Sequence, residues 1–128
     1  MIPDSDLEVL QSFDGHGSIT LSAYFRLDTP KHRESAYKEF IQQMQLRLAE
    51  CGSSPECREA LQEDMEIVGL YLRTNGNRGQ LGLAIFSCAA EFFWRVYPLA
   101  KPLPTQVSVG PRFNLEPLRQ AVGQAAGA

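Results

Sequence analysis

An almost unbroken apolar run at residues 81–88, Leu-Gly-Leu-Ala-Ile-Phe-Ser-Cys, constrains the fold more than any other segment. Polar and apolar positions do not alternate in it, which is typical of a strand buried on both faces. Such a strand lies inside a sheet and requires other elements to cover each side. Residues 91–99 predict the next strand, joined to the first by a hairpin through Ala89 and Ala90 and ended by Pro102 and Pro104.

A further strand is predicted at residues 18–27, where apolar and polar residues roughly alternate. A short helix at residues 4–12 and a turn at residues 14–17 precede this strand. The alternation places one set of apolar side chains on a common side, namely Ile19, Leu21, Ala23 and Phe25.

The end of the chain predicts a fourth, shorter strand at residues 106–110, followed by a closing helix. Asn114 is expected to cap that helix. The helix is expected to bury Leu115, Leu118 and Val122, and the bland tail at residues 123–128 is expected to fray.

Two long helices are predicted between the first and second strands. The first begins at the Thr29 cap with Pro30 at its first position and runs to about Glu50. Its apolar stripe follows the 3.6-residue period and consists of Tyr37, Phe40, Ile41, Met44 and Leu48.

The second long helix follows a break at residues 52–55. It begins either with a capping box from Ser53 to Glu56 or directly at Ser54-Pro55. It is expected to end at the turn of residues 75–77. Its expected buried side comprises Cys57, Leu61, Met65 or Asp64, Val68 and Leu72.

These elements follow the order α-β-α-α-β-β-β-α. They predict an α/β (α+β) fold in which a single mixed or antiparallel four-stranded sheet is packed by helices. The 128 residues, 44% of them hydrophobic, suit one domain with one real core.

Charge and cysteine usage narrow the class of protein. The net charge of −3 argues against a strongly basic nucleic-acid-binding domain, although a local basic patch remains possible. No apolar run approaches the roughly 18 residues that span a bilayer, and the acidic N-terminus lacks a signal peptide's basic start. A cytoplasmic protein is expected. Cys51, Cys57 and Cys88 are expected to be free thiols, because an odd number of cysteines does not suggest a disulfide framework and the cytosol is reducing. The six-residue spacing of Cys51 and Cys57, without a nearby histidine, is poor for zinc.

Three segments in order resemble the N-terminal domain of archaeo-eukaryotic class-I peptide chain release factors, and more closely that of their bacterial relatives. They are Leu-Ala-Ile-Phe-Ser at 83–87, Val-Gly-Pro-Arg-Phe at 109–113, and Leu115-x-Pro117-Leu118. The resemblance extends from about residue 18 to residue 126. It implies a translation-factor domain spanning residues 1–128, acting at or near the ribosomal A site, with further domains following in a longer chain.

The decoding motifs of that family match poorly. Its Asn-Ile-Lys-Ser tip between the long helices corresponds here to Cys-Gly-Ser-Ser-Pro at 51–55, without lysine. Its Tyr-x-Cys-x-x-x-Phe motif corresponds to residues 107–113, where only Phe113 is retained. Since valines cannot read base edges, stop-codon decoding is not expected. The peptide-releasing Gly-Gly-Gln lies in a later domain of the family, and Arg78-Gly79-Gln80 is not expected to replace it.

Basic residues nevertheless predict contact with RNA phosphates. They cluster where the first strand meets the first long helix, and the alternative is an ordinary solvated face with Asp28, Glu34 and Glu39. Arg112 and Phe113 are expected to grip an unstacked base, or else to be a turn residue beside a core ring. The complete set of candidate RNA-binding residues is Arg26, Lys31, Arg33, Lys38, Arg47, Ser53, Ser54, Arg112 and Phe113, with His32 beside the cluster.

Other chemistries lack a supporting pattern. Cys88 could be a nucleophile only if His16 or His32 approached it, and no motif places either there. The run Phe92-Phe93-Trp94 indicates core packing or an aromatic that docks a neighbouring domain. We therefore expect no enzyme, catalytic residue, metal or cofactor. The expected function is ribosome-associated binding of the release, rescue or hibernation type, with rRNA and following domains as partners and without membrane or DNA. The alternative is a protein-protein interaction or dimerisation domain.

Overall fold

A computed structural model describes residues 2–75 and 80–120, without the side chain of Asn75. Four strands form one antiparallel sheet in the order β3-β2-β1-β4, and helices pack on both of its faces. The elements are α1 (Asp4–Ser12), β1 (Thr20–Arg26), α2 (Pro30–Glu50), α3 (Pro55–Asn75), β2 (Gly82–Cys88), β3 (Phe93–Leu99), β4 (Gln106–Gly110) and the helical residues 116–120, called α4. The predicted fold class is confirmed.

The two central strands supply side chains to two separate apolar clusters. On β1, Leu21, Ala23 and Phe25 face the α2–α3 hairpin, whereas Tyr24 faces the opposite side. Every residue of β2 is buried, as its unbroken apolar run predicted. The sheet is therefore the middle layer of the molecule, and neither of its faces is open along the central strands.

The helical hairpin begins with the predicted caps. Thr29 Oγ1 accepts a hydrogen bond from the His32 backbone N–H at 3.1 Å, with Pro30 at the first helical position. Ser54 Oγ accepts from the Cys57 N–H at 3.3 Å, so α3 begins at Ser54-Pro55 and not with the capping box. The stripes facing the sheet include Ala36, Phe40 and Met44 on α2 and Leu61, Asp64, Val68 and Leu72 on α3.

Two of the three cysteines are not in the predicted free state. Cys51 and Cys57 form a disulfide with a Cα–Cα distance of 5.7 Å, so the prediction of free thiols is wrong for both. The helical hairpin turns between them, which brings the end of α2 to the first turn of α3. Cys88 is free and buried, as expected.

The opposite face of the sheet holds an aromatic cluster and α4. The ring of Phe13 lies 4.3 Å from that of Phe93 and 5.0 Å from that of Phe113. Asn114 caps α4 by accepting from the Glu116 N–H at 3.2 Å, as predicted. Its own carbonyl accepts from the Tyr24 hydroxyl at 2.6 Å, which joins the cap to β1.

Some predictions fall outside the described residues, namely those on Gly76 and Asn77, Arg78 and Gly79, Val122, and the tail. Within residues 2–75 and 80–120, no helix combines the length and apolar character required to cross a bilayer. In the same part of the chain, no three His, Cys, Asp or Glu side chains are grouped to hold a metal ion.

Candidate nucleic-acid interface

Arg26 ends β1 and is held by the carboxylate of Asp28. Its Nε donates to Asp28 Oδ1 at 3.0 Å and its Nη2 donates to Oδ2 at 3.2 Å. These charge-assisted bonds lower the pKa of Asp28 below its usual range and raise the pKa of Arg26. These two bonds fix the plane of the guanidinium group, and its third nitrogen, Nη1, makes neither of them.

His32, in the first turn of α2, faces the same carboxylate. Its Nδ1 lies 3.0 Å from Asp28 Oδ1 and 2.8 Å from Thr29 Oγ1. Because a carboxylate only accepts hydrogen bonds, we assign the proton of the neutral ring to Nδ1. Nε2 is then the acceptor nitrogen of His32.

A cleft of about 280 Å³ opens between α2 and the segment that leads into β4. The cleft thus joins the end of β1 to the middle of α2. Its lining is entirely polar except for one proline, and consists of Arg26, His32, Glu39, Gln42, Gln43, Pro104 and Thr105.

Gln43 fixes one wall of this cleft by binding the edge of the sheet. Its Oε1 accepts from the Val107 N–H at 2.9 Å, and its Nε2 donates to the Thr105 carbonyl at 3.3 Å. The side-chain amide therefore substitutes for a neighbouring strand along β4. Unlike Gln43, the half-buried Glu39 has no hydrogen-bond or ion-pair partner within the described chain.

Lys31 and Lys38 are exposed on α2, and each directly precedes a residue that lines this cleft, His32 and Glu39 respectively. They are seven residues apart, so they share one side of the helix at a separation of about 10 Å. Neither ammonium has an ion-pair partner among the residues that the structure describes. Both charges are free to bind an anion, although Glu34 is exposed on the same helix.

The other two basic residues of this group are already engaged. Arg33 Nη1 donates to the Leu27 carbonyl at 3.1 Å, which fastens the start of α2 to the end of β1. Arg47 Nη1 pairs with Glu50 at 2.9 Å near the far end of α2. The structure therefore brings Arg26, Lys31 and Lys38 to the cleft region and gives Arg33 and Arg47 structural partners.

The tip of the hairpin presents Ser53 and Ser54 to solvent. The Ser54 hydroxyl caps α3, as described above, and Arg58 Nε donates to the Gly52 carbonyl at 3.1 Å. Together with the disulfide, these contacts give the tip a fixed shape but no exposed lysine. Residues 51–55 offer hydroxyl groups and no cationic side chain.

Phe113 does not form the expected grip on a base. Its side chain is buried, with its ring 5.3 Å from that of Phe93 and 5.4 Å from that of Phe86, so no face is open for stacking. Arg112 is exposed, and its Nη1 donates to the Gln11 carbonyl at 3.5 Å. This pair is a turn residue beside a core ring, the alternative that the sequence left open.

Two residues that the sequence pattern did not single out, Phe92 and Asp64, lie near the end of β2. Phe92 is 97% exposed and has a left-handed φ of 54°, which is uncommon for an aromatic residue. Asp64 is fully buried, and its Oδ1 accepts from Ser87 Oγ at 2.7 Å and from the Ala89 N–H at 3.0 Å. The sequence analysis included Phe92 in the aromatic run and Asp64 in the buried stripe of α3. It did not predict that Phe92 is exposed or that Asp64 binds Ser87 and Ala89.

Comparison with known proteins supports the fold. No protein-family model and no curated protein matches the chain. It is similar to a solved structure described as an archaeal protein, with a TM-score of 0.69 and 14% sequence identity. The match covers 93% of this chain and 34% of that chain, so this chain spans about a third of that protein's length.

Proposed function

We propose that this domain is a ribosome-associated binding module of the release, rescue or hibernation type, and that it contacts rRNA through the solvent side of α2. The observation that carries the proposal is the pair of ammonium groups of Lys31 and Lys38 beside the polar cleft, neither of which has an ion-pair partner within residues 2–75 and 80–120. Lysine and arginine side chains supply most of the affinity of proteins for nucleic-acid backbones. The resemblance to release-factor relatives supports the ribosome as the source of that RNA.

The proposal does not include stop-codon decoding or catalysis. The hairpin tip has hydroxyl groups where the family has a lysine, and Phe113 is buried. A ribosome-associated domain acts in the cytoplasm, where the Cys51–Cys57 disulfide would meet reducing conditions. Binding is therefore expected in the reduced as well as the oxidised protein.

Co-sedimentation of the full chain with bacterial ribosomes at low and moderate salt tests this function. We expect retention that weakens as salt rises, because phosphate contacts release counterions. The double variant Lys31→Glu with Lys38→Glu should lose most of the retention. A matched control with the same change in net charge is Arg95→Glu with Arg119→Glu, since both arginines are exposed and lie outside α2. Equal loss in both variants, or no retention at either salt, would contradict the proposal.

A second candidate, a protein-interaction module, is favoured by Phe92. A large aromatic side chain that is 97% exposed on a left-handed backbone is suited to anchor in a partner's pocket. Under this alternative, Phe92→Ser abolishes concentration-dependent self-association or capture of a following domain, and the lysine variants change nothing. Sedimentation velocity over a concentration series separates the two functions.

A further inference from the structure

We propose that the cleft between α2 and β4 receives a single unpaired guanine base of the bound RNA. This inference rests on the proposed function and names the part of the RNA that the site recognises. The cleft volume of about 280 Å³ is just below the roughly 300–1,000 Å³ typical of small-ligand sites, so it suits one base and not a larger molecule. Its walls combine hydrogen-bond acceptors with donors, as recognition of a base edge requires.

Glu39 supplies the acceptor. Its carboxylate lines the cleft, is half-buried and is unpartnered within the described residues. Partial burial without a partner costs free energy, which a ligand with hydrogen-bond donors recovers on binding. Guanine offers two adjacent donors, the N1 imino and N2 amino groups, that match the two oxygens of a carboxylate. Adenine and uracil do not present that pair.

Arg26 and Gln42 supply the donors. Asp28 occupies Nε and Nη2 of Arg26, which leaves Nη1 available while the guanidinium plane is held in place. An arginine donor suits the O6 and N7 acceptors of guanine. Gln42 also lines the cleft, whereas both groups of the Gln43 amide are already bound to β4. Within the described chain, the donors and acceptors for the base itself therefore come from Arg26, Glu39 and Gln42.

The surroundings fit a strand of RNA that passes along α2. Lys31 and Lys38 lie on the adjacent side of the helix, about 10 Å apart, where they can contact phosphates on either side of the inserted nucleotide. His32 Nε2, assigned above as an acceptor, can accept from a ribose 2′-hydroxyl, the group that distinguishes RNA from DNA. Readout of an unstacked base on its edge is the usual way in which proteins recognise single-stranded RNA.

Fluorescence anisotropy with short labelled oligouridylates tests the proposal on the full chain. One probe contains a single guanosine, the second carries inosine at that position, and the third carries adenosine. Inosine lacks only the 2-amino group. We expect the guanosine probe to bind about tenfold more tightly than either other probe. Glu39→Gln should abolish that preference, whereas Glu34→Gln, a matched change at an exposed position of α2, should retain it.

The outcomes separate this inference from the function on which it rests. If all three probes bind equally to the parent protein, and Lys31→Glu with Lys38→Glu weakens all of them, the guanine site is overturned and RNA binding stands. If no probe binds and ribosomes are not retained, both proposals fail. A preference for guanosine that survives Glu39→Gln also overturns the site, because the carboxylate would then not be the reading group.

Discussion

At the scale of single residues, Asp64 is the one carboxyl group among the buried side chains of the described chain. Burial raises its pKa to about 6, against the lowering effect of hydrogen bonds from Ser87 and the Ala89 N–H. Between about pH 4 and pH 6 the folded protein keeps a proton that the unfolded chain has lost. The free energy of unfolding must therefore fall as pH rises through this window, and level off above it.

Replacing Asp64 with Asn tests this linkage. The amide oxygen can still accept from Ser87 and Ala89 without the cost of a buried charge. We expect the pH dependence between pH 4 and pH 6 to diminish, and the free energy of unfolding at pH 7.5 to rise by about 1–2 kcal/mol. Urea denaturation across the pH series measures both effects. Glu66→Gln, an exposed change on α3, should reproduce the parent curve, and an identical profile for Asp64→Asn would disprove the assignment.

At the scale of elements, the disulfide constrains the tip of the α2–α3 hairpin. Cys51 and Cys57 close a short loop, so the main effect of the bond is to restrict the unfolded chain. For a loop of this size we expect the double change to alanine to lower the free energy of unfolding by about 2 kcal/mol. Chemical denaturation with and without a dithiol reductant measures it. The reduced parent protein should match the double variant, and a reductant effect that persists in the double variant would contradict the explanation.

The edge of the sheet depends on one side chain of α2. Gln43 satisfies the outward backbone groups of Val107 and Thr105, and an uncovered edge strand invites pairing with another chain. We expect Gln43→Ala to be destabilised by about 1–3 kcal/mol and to associate more than the parent protein as concentration rises. Sedimentation velocity detects the association. Gln42→Ala, at the preceding position of α2, is the control. Equal behaviour of the two variants would show that Gln43 does not protect the edge.

At the scale of the whole molecule, local sequence patterns predicted the helices and strands. They did not predict the contacts between residues that the fold brings together. The stripe around Phe40 follows from the 3.6-residue hydropathy period, and the central strand at residues 82–88 follows from an apolar run without alternation. The disulfide was missed because pairing depends on how tightly the hairpin turns, which spacing does not reveal. The cleft was missed because Glu39 and Thr105, distant in sequence, meet only when β4 joins the sheet beside α2. Likewise, nothing local distinguishes a buried Phe113 from one exposed to a base.

The arrangement of the core also predicts how the molecule unfolds. Phe40 packs between the hairpin and one face of the sheet, whereas Phe86 packs on the opposite face. The two clusters share the central strands, since β1 and β2 send alternate side chains to each. Loss of either cluster therefore removes the support of the other, and we expect one cooperative transition for the described fold.

Truncation of one ring on each face tests this coupling. Phe40→Ala and Phe86→Ala should each lower the free energy of unfolding by about 3–5 kcal/mol, because both side chains are fully buried. Trp94 is the single tryptophan and packs on the hairpin side, with its ring 5.8 Å from that of Tyr71, so its fluorescence reports on that face. In both variants the fluorescence transition should coincide with that seen by far-ultraviolet circular dichroism. If Phe86→Ala left the Trp94 transition unmoved while the dichroism shifted, the two faces would unfold independently, and the shared strands would not couple them.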